Sequence, residues 1–304
     1  MATKQPPFIK KGDKIGVVST ARKVNHQELN PCIEIISQMG YMPILGKNIF
    51  SEYNQFAGTV EQRLSDLQVM LDDDSIKAIL CARGGYGTVQ IIDKVDFSIF
   101  SNHPKWIAGY SDVTVLHSHI NNHLNISTIH STMPINFPKD NTINKSVETL
   151  FQVLSGNIIN YTFPSHLLNI EGEMKGELIG GNLSILYSLT GTASLLSLNN
   201  KILFFEDLDE YLYHIDRMLM NLKRSGALKN IKGVLIGGMS EMHDNTVPYG
   251  KSAEQIVFDN LKELNIPIAF NFPAGHIEEN YAFILGSEVQ VNVSKNSNTI
   301  FSYL

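Results

Sequence analysis

Over the first half of the chain, short apolar runs alternate with stretches of helical periodicity. "KIGVVST", "YMPIL", "IKAILCA", Trp106–Gly109 and "ISTIH" predict strands. Between them, "HQELNPCIEIISQMG" predicts a helix stopped at Gly40. "GTVEQRLSDLQVMLDD" places Val60, Leu64, Leu67 and Leu71 on one helical face, and Val113, Leu116, Ile120 and Leu124 do the same further on. "IKAILCA" is apolar almost throughout, as a strand covered on both faces should be. Strictly alternating strands and helices predict an α/β fold, a parallel sheet wrapped by helices.

Residues from about Pro138 to Met174 are weakly patterned and carry Pro, Asn and Ser, which predicts the crossing between two domains. The expected division is an N-terminal α/β domain over 1–150 and a C-terminal domain over 151–304. The second half offers strands at "KILFFE", "GVLIGGM", "IPIAFNF", "YAFILG", "VQVNV" and "TIFSYL", with helices at "LDEYLYHIDRMLMNLKRSG" and "KSAEQIVFDNLKEL". The close spacing of the last strands predicts antiparallel pairing, hence a mixed α/β domain. Leu178–Asn200 is uncharged, but Gly180, Gly181, Asn182, Ser184 and Ser188 are among many residues that make it too polar to face lipid. A buried helix is expected there.

A length of 304 residues suits two cores better than one, and 43% apolar with 18% charged residues suits a soluble protein. The net charge of -6, without a long basic stretch, argues against nucleic-acid or anionic-membrane partners. Cys32 and Cys81 lack disulfide or metal spacing and are expected to be buried reduced thiols. "MATKQPPFIKKGDK" has no apolar core, so no signal peptide is expected and the cytoplasm is the expected compartment.

Ligands of open α/β sheets gather at the carboxyl ends of strands. Ser111 follows such a strand in Gly109-Tyr110-Ser111-Asp112-Val113, close to the G-x-S-x-G elbow of hydrolases but without its last glycine. Two readings stand there. Ser111 caps the helix, the commoner use of such a serine, or it is a nucleophile with helix N–H groups beside it for an oxyanion. "RGGYG", Arg83–Gly87, follows another apolar strand. It is either a plain turn or a loop whose Gly85 N–H serves as an oxyanion donor. Glu206 ends "KILFFE" and belongs to its strand, so it is the better candidate for orienting a base. Asp207 and Asp209 read more simply as favouring the start of the next helix. His276 in "FPAGHIEEN" is a loop residue, and beside a strand-end Glu and an elbow Ser it becomes a general base. His119 and His123 in "HSHINNH" have a metal-ligand spacing, but the Glu of H-E-x-x-H is missing and solvated side chains are expected.

Taken in order, "RGGYG", "GYSD", "FFEDLDEYLYHIDRML…LKRSG", "GVLIGG" and "FPAGH" resemble the LD-carboxypeptidases, the muramoyl-tetrapeptide carboxypeptidases and their relatives, the microcin C immunity peptidases. The likeness runs from about Gly12 to Val293. It implies a flavodoxin-like N-terminal domain and a mixed α/β C-terminal domain. It also implies a catalytic set of Ser111, Glu206 and His276, with oxyanion donors on the backbone of Gly85 and Asp112. The implied reaction removes a terminal D-alanine from a muropeptide in peptidoglycan recycling, with no cofactor or metal, in an enzyme that is commonly a homodimer. Whether lysine or diaminopimelate precedes that alanine stays open. The alternative is cleavage of a peptidyl-nucleotide amide, which in the immunity peptidases uses an aromatic side chain, usually Trp, stacked on adenine. The single Trp here, Trp106, lies inside a strand. Two positions depart from the family: His130-Ser131-Thr132-Met133 stands where His-Gly-Pro-Met is frequent, and Ile277 replaces the glycine usual after the histidine.

Overall fold

Apolar strands pair side by side when helices can cover both of their faces. The computed structural model describes residues 3–304. The chain forms two units, Met1–Ile158 with Tyr281–Ile284, and Ile159–Asn280 with Leu285–Leu304. The first unit runs β1 (Lys14–Val18), α1 (His26–Gln38), β2 (Met42–Leu45), α2 (Val60–Asp72), β3 (Ile76–Cys81), α3 (Ser98–Asn102), β4 (Trp106–Gly109), α4 (Thr114–His119), β5 (Thr128–His130) and α5 (Lys145–Leu154). The strands lie in the order β2-β1-β3-β4-β5, every pair parallel. This is the doubly wound, flavodoxin-type order. Ile15, Val17, Ile79 and Ile107 are fully buried in it. Capping boxes start α1 (Asn25 with Glu28) and α2 (Thr59 with Gln62), satisfying N–H groups that a helix start leaves open.

The second unit runs β6 (Tyr161–Phe163), β7 (Gly172–Asn182), α6 (Leu183–Ser188), β8 (Ile202–Leu208), α7 (Leu212–Arg224), β9 (Gly233–Ser240), α8 (Ala253–Leu261) and β10 (Ile268–Ala269). After β11 (Phe283–Leu285), it ends with β12 (Ser287–Val293) and β13 (Thr299–Tyr303). Its sheet has the order β10-β9-β8-β7-β12-β13-β6. The β10, β9, β8 and β7 strands are parallel, and the remaining pairs are antiparallel. Phe205, Ile215, Met218, Ile236 and Val257 form part of its core.

Three segments differ from the sequence expectation. The weakly patterned stretch holds α5, started by the Asn144 side chain accepting from Val147 N, and then β6. Leu178–Asn200 is not a long buried helix. Its first residues complete β7, and helix follows only over Leu183–Ser188. The glycines explain this, because a Cβ at Gly180 would lie 1.8 Å from the carbonyl oxygen of Phe204 on the adjoining strand. The third segment, "YAFILG", gives β11, which lies next to β5 at the edge of the first sheet. There Phe283 stacks on His130 with ring centroids 4.9 Å apart. The closing strands β12 and β13 pair antiparallel, as their spacing predicts. Among the described residues, no helix is long and apolar enough to cross a membrane.

Candidate active site

In the first unit, β4 ends at Gly109 with φ 156°, Tyr110 is extended, and Ser111 is held at φ 61°. A serine in left-handed conformation is strained, and such strain survives only where surrounding contacts over-determine it. Those contacts are present. The Gly109 carbonyl accepts from Ser131 N at 3.1 Å and lies 2.9 Å from His117 Nε2. A carbonyl only accepts, so Nε2 carries the ring hydrogen, and burial pushes the His117 pKa down to about 4, keeping the ring neutral. The capping reading of Ser111 fails. Tyr110 occupies the cap position, no side-chain cap bond is made, and Ser111 already belongs to the first turn.

The "RGGYG" loop lies against this elbow. A Cβ at Gly84 would be 2.7 Å from both Cβ and Oγ of Ser111 and 3.4 Å from the Asp112 backbone nitrogen. Gly85 is exposed at φ 110°. The Asp112 carboxylate is buried, accepts from Thr88 N at 2.8 Å and so ties elbow to loop; burial raises its pKa. Arg63, only 2% exposed, fixes the loop from below. Its Nη1 donates to the Thr20 and Gly87 carbonyls at 2.9 and 2.8 Å, and its Nη2 donates to Gln90 Oε1 at 2.6 Å.

In the second unit, Glu206 is fully buried on β8. Ile236 of β9 pairs with Phe205 and Met239 with Asp207, so Gly237 and Gly238 together oppose Glu206 in a β-bulge. The carboxylate Oε2 accepts from His276 N at 3.1 Å and lies 2.6 Å from His276 Nδ1. With Nδ1–H donating to Glu206, Nε2 is the basic nitrogen of the neutral ring. Burial alone would lower the His276 pKa, but the hydrogen bond and charge of Glu206, with Asp207 and Glu241 behind, outweigh it and the net shift is upward. The loop is fixed by Gly275 N donating to Asn280 Oδ1 at 2.9 Å and Ser240 Oγ donating to the His276 carbonyl at 2.6 Å.

Gly275 has no room for a side chain. Its φ is 108°, and a Cβ would lie 2.7 Å from Cβ, Cγ and Oε2 of Glu206. We expect Gly275→Ala to cost roughly 2–4 kcal/mol from backbone strain and overpacking together. A thermal unfolding scan should show the midpoint several degrees lower, and an unchanged midpoint would contradict this packing.

Thus Glu206 and His276 are brought together in one unit, while Ser111, Gly85 and Asp112 gather in the other. Asp207 does not serve the next helix. It is buried and accepts from Asn182 Nδ2 and from Ser184 N, both at 2.9 Å, so it supports the start of α6. Burial, and then the neighbouring charge of Glu206, pushes its carboxyl up to about 7. Asn182 also reaches Glu206 Oε1 at 3.3 Å. Sequence reading passed over Asn182, although it ends β7 level with Glu206 on the adjacent parallel strand. It also passed over His117, weighing His119 and His123 instead. Of that pair, His123 is exposed but His119 is half-buried, stacked on Phe97 with centroids 5.3 Å apart. Among the described residues, no group of three or more His, Cys, Asp or Glu side chains is placed to hold a metal ion. Cys32 and Cys81 are buried and unlinked, and burial raises both thiol pKa values. The departing segment His130–Met133 is buried, with Ser131 on the elbow carbonyl, whereas Ile277 is exposed.

Residues 15–131 match the model of the LD-carboxypeptidase N-terminal domain, and residues 175–291 match that of the C-terminal domain. A Bacillus subtilis (strain 168) protein named "Probable murein peptide carboxypeptidase" is 34% identical over 97% of this chain and 94% of its own length. Among solved structures, the muramoyltetrapeptide carboxypeptidase from Oxalobacter formigenes superposes with a TM-score of 0.87 at 22% identity, covering 95% of this chain and 99% of that one. The microcin C7 self-immunity protein in complex with aspartyl sulfamoyl adenosine superposes with a TM-score of 0.85 at 19% identity, covering 100% of this chain and 99% of its own. At these identities, the two superpositions speak for the fold.

Proposed function

The chain belongs to the LD-carboxypeptidase family and is a serine-type carboxypeptidase for murein peptides, and on that premise we propose that Ser111, His276 and Glu206 remove the terminal D-alanine of the tetrapeptide. In this reading the N-terminal domain, 1–150, carries the nucleophile, and the C-terminal domain, 151–304, carries the acid and base. His276 Nε2 takes the Ser111 proton as the serine oxygen attacks the carbonyl carbon before the D-alanine. Glu206 holds the ring and stabilises its charged form. The backbone N–H groups of Gly85 and Asp112 receive the oxyanion. Collapse of the tetrahedral intermediate returns the proton from His276 to the departing D-alanine amine. Water, deprotonated by the same imidazole, then releases the acyl group.

The observation that supports this most is the fully buried Glu206 carboxylate 2.6 Å from His276 Nδ1, because a buried charge is retained only where a partner stabilises it. The alternative, cleavage of a peptidyl-nucleotide amide, is not favoured: Trp106 is fully buried and stacks on Phe8, with centroids 5.8 Å apart. We further propose that the enzyme works in the cytoplasm as a homodimer, in peptidoglycan recycling, without nucleic-acid or membrane partners and without a cofactor. The net charge of -6 supports the exclusion of polyanions.

The test is D-alanine release from a murein tetrapeptide followed against pH. Only neutral His276 can accept the serine proton, so activity is lost as pH falls through its pKa. Because that pKa is raised, the acid limb of kcat/KM should lie above the ordinary histidine value of about 6.5. A limb below that value, or no release of D-alanine, would contradict the assignment.

A further inference from the structure

An enzyme that removes a single C-terminal residue must recognise a terminal carboxylate. That group lies three bonds beyond the carbonyl carbon under attack, so the cation that binds it must stand close to the oxyanion donors. The doubly wound sheet narrows the search. In the order β2-β1-β3-β4-β5 the connections diverge between β1 and β3, and the crevice at the carboxyl ends of those two strands is where such folds take their ligands. The loop after β3 carries Gly85. The loop after β1 carries Arg22.

Arg22 is exposed, and its aliphatic stem lies directly over Gly85: a Cβ there would be 2.2 Å from Arg22 Cδ and 2.4 Å from Cγ. Its backbone is fixed by Arg22 N donating to the Gly84 carbonyl at 3.4 Å and by its own carbonyl accepting from Ser19 Oγ at 2.8 Å. Arg63 locks the same two loops together through Thr20 and Gly87. The neighbouring Arg83 is committed, its Nη1 standing 3.4 Å from Glu28 Oε1 and from the Lys23 carbonyl. The Arg22 guanidinium, by contrast, has no hydrogen-bond or ion-pair partner among the described residues. An arginine that spends no donor on its own chain, on a backbone this well fixed, has its planar fork available for a carboxylate.

We propose that Arg22 binds the terminal carboxylate of the substrate and makes the enzyme a carboxypeptidase rather than a general amidase. The inference rests on the reading of Ser111 and Gly85 given above. It also gives the carboxylate of the departing D-alanine a counter-charge whose donors are not already spent on the protein, unlike those of Arg63 and Arg83 at the same loop.

The experiment compares two substrates, the murein tetrapeptide and the same peptide with its terminal D-alanine amidated, in wild type, Arg22→Met and Arg22→Lys. Methionine keeps an unbranched stem over Gly85 without the charge. Wild type should prefer the acid by on the order of 100-fold in kcat/KM, the scale of a charge-assisted bidentate contact. Arg22→Met should abolish that preference, mainly through KM, and Arg22→Lys should restore part of it. A preference that survives in Arg22→Met, or a wild type indifferent to amidation, overturns the assignment. Because the readout is a ratio within one protein, a loss of folding that lowers both activities equally leaves the preference in place and counts against the assignment. Ser111→Ala is run alongside. If it cleaves either peptide within tenfold of wild type, the serine mechanism fails and the premise falls with it, a result distinct from an acid preference that survives in Arg22→Met, which rejects the role of Arg22 alone.

Discussion

Ser111→Ala is expected to lose roughly 10,000-fold to a million-fold in kcat while keeping the fold, the scale on which removing a catalytic serine acts elsewhere. The side chain is partly exposed, and the substitution removes one oxygen from a position already at φ 61°. Stability should therefore move little. The N–H groups proposed for the oxyanion belong to the backbone and stay in place, so a small residual rate over water is expected. The measurement is D-alanine release by the purified variant together with its thermal midpoint. Activity within tenfold of wild type would remove the serine from the mechanism, whatever the midpoint.

Glu206→Gln is the second large effect. The carboxylate is fully buried and faces His276 Nδ1 at 2.6 Å. An amide of the same shape offers a donor where the imidazole also needs to donate, so the ring turns or takes the wrong tautomer. A loss of about 10,000-fold in kcat is expected, as for the corresponding change in other triads. A second readout separates this from simple misfolding. The hydrogen bond and charge of Glu206 are what raise the His276 pKa against burial, so any residual activity should show its acid limb at lower pH than wild type. An unmoved limb, or kcat within tenfold of wild type, would contradict the role given to Glu206.

The alternation of apolar runs made the first sheet legible, because each of those strands is buried on both faces and reads as hydrophobic without interruption. At Leu178–Asn200, by contrast, an uncharged stretch too polar for lipid read as a buried helix although it opens as a strand. There, glycines allow β7 to lie close against β8, and their low hydrophobicity with scattered serines leaves no strand signal. β11 was legible as a strand but not in its sheet, since partner choice depends on contacts such as Phe283 with His130 that are distant in sequence. The candidate side chains Ser111, Glu206 and His276 stood out because each ends a strand or turn with an unusual residue. Asn182, Arg63 and His117 did not, since their work is to hold backbone and carboxylate groups in place and local pattern carries no mark of that. Asp207 was read as a helix-start carboxylate because its neighbour in sequence is a helix. The helix it supports is α6, which precedes it in the chain and adjoins it in space.

The most direct test is mass spectrometry of the wild-type protein incubated with a murein tetrapeptide and with aspartyl sulfamoyl adenosine side by side. The tetrapeptide should lose one terminal alanine while the nucleotide analogue stays whole. An intact tetrapeptide, or cleavage of the analogue alone, would contradict the proposed activity.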